Sequence, residues 1–98
     1  MSKKEQLYAL LDMFLRGAYR IPVFCDAFED IYYPDVPRQE LSAQELAIFD
    51  TLASIVTRFS PFSEDISAYP NVYRTEDEVR NAILSACNDL GLVKNRNR

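Results

Sequence analysis

The chain has 98 residues, 48% of them hydrophobic, and a formal net charge of −4. That is one domain's length with apolar material for one core, and it excludes a disordered chain. Glycine occurs only at Gly17 and Gly91, and no short strands alternate between turn signals, which excludes a sandwich or barrel and points to helices.

The first predicted helix covers residues 3–16. Leu7, Leu10, Leu11, Phe14 and Leu15 recur at helical spacing, and Gly17 follows where a left-handed residue ends a helix. The second begins near Ile21, with Pro22 at a helix start, where its missing N–H costs nothing. Ile21, Phe24, Cys25, Phe28, Ile31 and Tyr32 form its apolar stripe, Pro34 stops it, and Pro37 keeps the next segment extended. The third starts at the capping signal Ser42-Ala43-Gln44-Glu45 and runs to about Arg58. Its row of Leu46, Phe49, Leu52, Ala53, Val56 and Phe59, with Ile48 and Ile55 beside it, is the broadest apolar surface, so this helix is expected to touch the most neighbours. The fourth starts at a second capping signal, Thr75-Glu76-Asp77-Glu78, buries Val79, Ile83, Ala86, Cys87 and Leu90, and stops at Gly91.

The expected architecture is all-α: an antiparallel four-helix bundle, one domain over residues 1–98, with a frayed tail over 92–98. The connection from Phe59 to Arg74 is long for a compact domain and carries Pro61, Phe62, Tyr69, Pro70 and Tyr73. That is too aromatic for a flexible linker, so it is expected to pack on the bundle.

No apolar run approaches the roughly 20 residues that cross a bilayer. Leu7 to Leu15 carries Asp12 and lacks a small-residue cleavage site, so no signal peptide is read and a cytoplasmic location is expected. Cys25 and Cys87 fall on apolar stripes and read as small buried hydrophobes rather than a disulfide.

Catalytic chemistry finds little support. There is no histidine, so neither a Ser-His nor a Cys-His nucleophile pair exists. No phosphate-binding glycine loop, zinc spacing or calcium loop is present, and no catalytic residue, cofactor or metal is assigned. The carboxylate groups Glu29-Asp30, Glu64-Asp65 and Glu76-Asp77-Glu78 would need a cleft for acid–base work, which a small bundle hardly offers.

Charge is unevenly placed. Residues 26–78 hold twelve acids against the three bases Arg38, Arg58 and Arg74, whereas the two ends hold three acids and eight bases. An acidic middle repels nucleic acid and favours a basic protein partner, or simply keeps the surface solvated. If the two long connections project on one side, Asp35, Glu40, Glu64 and Asp65 form one negative patch with Phe62, Tyr69 and Tyr73 as anchors. Otherwise those aromatics cover the end of the core, and Glu76 and Asp77 only complement the helix dipole. Asp26, Glu29, Glu45 and Asp50 are expected on exposed faces.

Four features in this order give the chain a resemblance to the colicin D-type immunity proteins, a bacterial self-protective group. They are Leu11-Asp12-Met13-Phe14-Leu15-Arg16-Gly17, the Phe24-x-x-x-Phe28 helix, the turn Arg58-Phe59-Ser60-Pro61, and Tyr73-Arg74-Thr75-Glu76-Asp77-Glu78-Val79-Arg80. The resemblance spans roughly residues 7–90. It implies a cytoplasmic bundle that neutralises a cognate nuclease toxin, from a bacteriocin or a contact-dependent inhibition system. In that family carboxylates stand in for RNA phosphates in a basic active site built for a tRNA. The colicin D pattern places acids just before the Arg and just after the Pro of the turn, where this chain has Thr57 and Phe62. The acids come later, at Glu64 and Asp65, which implies a different toxin or a rotated surface. The toxin-binding residues read this way are Glu64, Asp65, Phe62, Asp35, Asp50 and Tyr69. The expected partner is a basic nuclease domain, with no direct nucleic acid and no membrane, as a monomer or 1:1 complex. The rival reading is a helical adaptor or regulatory subunit that binds a partner helix in an apolar groove.

Overall fold

The structure, a computed structural model, describes residues 2–33 and 35–92. These form five α-helices: α1 (Lys3–Leu15), α2 (Ile21–Tyr32), α3 (Ala43–Val56), α4 (Ser63–Ala68) and α5 (Glu76–Asp89). No strand occurs among the described residues, and none of their helices is long and apolar enough to cross a membrane.

Three helices start from the same local device. Ser2, Ser42 and Thr75 each accept a hydrogen bond from the backbone N–H three residues on, and Glu5, Glu45 and Glu78 each reach back to the capping residue's own N–H. Each box satisfies two amide groups that a helix start would leave open. The first of the three, Ser2-Lys3-Lys4-Glu5, went unread in the sequence. Gly17 and Gly91 stop α1 and α5 with φ of +80° and +79°. Beyond each, Ala18 N–H donates to Met13 O and Leu92 N–H to Cys87 O, closing the wide turn that only a left-handed residue allows without strain. Leu92, expected in the frayed tail, is therefore tied to α5 and packs on the core. Residues 93–98 of that tail, and Pro34, the expected stop of α2, lie outside the described residues.

The core is filled by Leu7, Leu10 and Leu11 of α1, Ile21, Phe24, Phe28 and Tyr32 of α2, Phe49, Leu52 and Val56 of α3, and Val79 and Ile83 of α5. Its centre is aromatic. Phe28 lies 5.2 Å from Tyr32, 6.0 Å from Phe24 and 6.4 Å from Phe49, ring centroid to centroid. This makes α2 the hub: it packs on α1, α3 and α5, whereas α3 packs chiefly on α2 and α5. The expectation that α3 would touch the most neighbours is corrected. The ring-rich stripe of α2 carries more buried volume than the aliphatic surface of α3, whose Leu46, Ile48 and Ile55 stay half-buried.

The second correction is the number of helices. The connection after α3, expected to pack on the bundle as a long loop, instead holds α4, none of whose residues is buried. Its two ends are clasped together: Arg74 N–H donates to Arg58 O at 2.8 Å and Ser60 N–H to Arg74 O at 3.1 Å. Inside that neck Ser60, only 6% exposed, donates its hydroxyl to Asp65 at 2.7 Å and accepts the Phe62 N–H at 3.2 Å. One buried hydroxyl thus holds both the entry and the first turn of α4.

Candidate protein-binding surface

The clasp lifts α4 clear of the core, and none of its residues is buried. Seven large apolar side chains are exposed among the described residues, and three of them cluster here: Phe62 at 62%, Tyr69 at 58% and Val72 at 48%. Isolated exposed apolar residues are ordinary, but three within eleven positions of one small element mark a contact surface. Tyr69 meets Tyr73 edge-on at 6.1 Å, which stiffens the far side of the platform. Tyr73 is half-buried, whereas Phe62 and Tyr69 are exposed, and none of the three belongs to the core.

Carboxylates surround this apolar group. Glu64 is exposed in the first turn of α4 and makes no ion pair among the described residues. Asp65 is half-buried and already holds the Ser60 hydroxyl. At the neighbouring start of α5, Glu76 and Asp77 share Arg80, at 3.3 and 3.2 Å. Arg74 sits 3.7 Å from Glu78. All these pairs are exposed enough that each contributes little and exchanges readily with another cation. The platform therefore combines exposed apolar side chains with neighbouring carboxylates.

Two of the residues read from the sequence lie elsewhere. Asp35 precedes α3 and α4 follows it, so the two long connections sit at opposite ends of a 14-residue helix, a rise of about 20 Å. The single patch drawn from both connections is thereby corrected. The Asp35 carbonyl accepts Lys3 Nζ at 2.8 Å, and Glu40 accepts the Lys4 N–H at 2.8 Å, so this end of the molecule is tied to α1. Asp50, midway along α3, accepts the hydroxyl of the fully buried Tyr32. Burial and that hydrogen bond push the Tyr32 phenol up. Asp50 thus serves as the outlet for a core hydroxyl that would otherwise go unpaired. Phe62, Glu64, Asp65 and Tyr69 are the four that the fold brings together. Sequence reading missed Val72, Ser60 and α4 itself; the run Ser63-Glu64-Asp65-Ile66 after Pro61 is the helix-start signal that would have found them.

Glu45, expected on an exposed face, is corrected to a packed position. It accepts the Tyr8 hydroxyl at 2.6 Å and the Ser42 N–H at 2.8 Å, and Lys4 lies at 3.3 Å. The Tyr8 bond first, then the Ser42 N–H and Lys4, hold its carboxyl down at about 2, against a smaller opposing effect of burial. Tyr8 in turn is pushed up to about 12 by burial and by Glu45. This cluster joins α1 to α3 at the end away from α4 and has every partner it needs.

No group of three His, Cys, Asp or Glu among the described residues is placed to hold a metal ion. Both cysteines are free and buried. No family model, characterised protein or solved structure matches this chain.

Proposed function

We propose that this chain is a cytoplasmic immunity protein of the colicin D type, which binds a nuclease toxin, of the tRNA-cleaving kind, and blocks its basic active site with the acidic face around α4. The reading takes α1, α2, α3 and α5 as an antiparallel four-helix bundle with α4 inserted at one end. The observation that carries it is the exposure of Phe62, Tyr69 and Val72 around α4 together with Glu64, which makes no ion pair among the described residues. A groove that grips RNA phosphates presents Lys and Arg, and carboxylates at phosphate-like positions meet them with charge-assisted hydrogen bonds. Protection of a producing cell calls for nanomolar binding or better, about −12 kcal/mol. Desolvated aromatic anchors inside a charged rim supply binding of that order.

The test is co-expression with a panel of basic tRNA-cleaving domains from bacteriocins and contact-dependent inhibition toxins, including any nuclease domain encoded in the adjacent reading frame. Survival of cells that carry the cognate domain, and loss of survival with Glu64→Lys, is the expected result. Failure to protect against every member overturns the reading.

A second reading, a helical adaptor, draws on the shallow groove between α3 and α5, lined by Ile48, Ile55, Ala82 and Ala86 and about 170 Å³ in volume. Salt separates the two. Association with a nuclease slows steeply as ionic strength rises, whereas docking of an apolar helix barely changes.

A further inference from the structure

Between α4 and the start of α5 lies a slot of about 340 Å³. Phe62 and Ile66 supply its apolar lining, and Ser63, Ser67, Thr75 and Glu76 its polar lining. Ligand clefts run from about 300 to 1,000 Å³, so this one has room for a single long side chain and not for a helix. The Phe62 ring is 62% exposed and stacks on no other ring among the described residues. Glu76 touches Arg80 only through an exposed pair that a second cation can displace. Glu64, in the first turn of α4, makes no ion pair among the described residues.

We propose that this slot receives an arginine side chain of the partner protein, its stem along Ile66 and its guanidinium on the open face of Phe62, within reach of Glu76. The lining selects arginine over lysine for three reasons. A guanidinium is planar and lies on an open aromatic face. It offers five N–H donors, enough for a carboxylate and for serine hydroxyls together. It is also less strongly hydrated than an ammonium, so it enters a half-apolar slot more readily. That the arginine comes from a nuclease rests on the function proposed above; the slot's chemistry stands on its lining.

The test titrates the full ¹⁵N-labelled chain with three capped tripeptides, acetyl-Ala-X-Ala-amide with X as arginine, lysine or norleucine, and follows amide chemical shifts. The arginine peptide is expected to bind most tightly and to move the signals of Ser63, Ile66, Ser67 and Glu76. Phe62→Ala is expected to weaken it about two- to fivefold, the range for an exposed cation on a ring. Glu76→Gln is expected to weaken arginine and lysine but not norleucine. Because Phe62 is exposed, the remaining spectrum of Phe62→Ala should match the parent and show an intact fold. Shifts scattered over all acidic faces and unchanged by Phe62→Ala, norleucine binding as well as arginine, or no binding at all would each overturn the assignment. Slot binding by arginine without protection against any nuclease refutes the nuclease reading alone. Protection without slot binding refutes the slot alone.

Discussion

Glu64 and Asp65 are neighbours in the sequence and chemically alike, yet they should respond differently to charge reversal. Glu64 is exposed and makes no ion pair among the described residues, so Glu64→Lys should change stability by no more than about 0.5 kcal/mol, as for surface substitutions generally. Asp65 receives the hydroxyl of Ser60, which is 6% exposed and anchors the clasp beneath α4. A hydrogen bond to a charged group is worth about 1.5–3 kcal/mol, and half-burial of Asp65 places it at the low end. A loss of about 1.5 kcal/mol in a domain of this size lowers Tm by about 6–12 °C. Both substitutions should weaken a nuclease complex by more than about tenfold, since close interfacial charge pairs couple by about 1.5–7 kcal/mol. Thermal unfolding followed by circular dichroism, paired with calorimetric titration of the nuclease, separates the two effects. Equal Tm values for the two variants would refute the structural role given to Asp65. Unchanged affinity in Glu64→Lys would refute the binding role given to Glu64.

Three further outcomes follow from the core and its titratable groups. Glu45 has a folded-state carboxyl near 2, below its unfolded value, so its contribution is full above the unfolded value and is lost as pH falls from about 5 toward 2. Urea midpoints measured across that window should fall for the parent and fall less for Glu45→Gln; parallel curves would contradict the Tyr8–Glu45–Lys4 linkage. Burial pushes the thiols of Cys25 and Cys87 up to about 12 and about 11, with Glu29 and Asp26 adding to the effect at Cys25. Neither should react with iodoacetamide at pH 8 in the native protein, and both should react in urea. Phe28, 1% exposed and in contact with three other rings, should cost about 3–5 kcal/mol when replaced by alanine, and a loss under about 2 kcal/mol by urea unfolding would argue against α2 as the hub.

Helix boundaries were legible in the sequence because their signals are local. Ser42 with Glu45, Thr75 with Glu78, and the two glycines act within one turn of backbone, and the observed ends agree with them to within two residues. The apolar stripes of α1, α2 and α5 were legible for the same reason, since spacing alone puts Leu7, Phe24 or Ile83 on a buried face. Half of the candidate site was legible too, as acids and aromatics crowded into one connection. Side-chain partners across the fold were not. Glu45 and Asp50 look like solvated acids in sequence, and only packing brings Tyr8 and Tyr32 to them from other helices.

By itself the sequence determined an all-helical chain, where its long helices begin and end, and a negatively charged middle. Tertiary structure decided which acids remain available. Helix direction alone sends Asp35 and Glu64 to opposite ends of α3, and the Ser60 clasp, formed between segments fourteen positions apart, raises α4 so that Phe62 and Tyr69 face outward. A hydrogen bond or a ring contact between distant residues depends on how the helices close against one another, and no local spacing rule encodes that geometry.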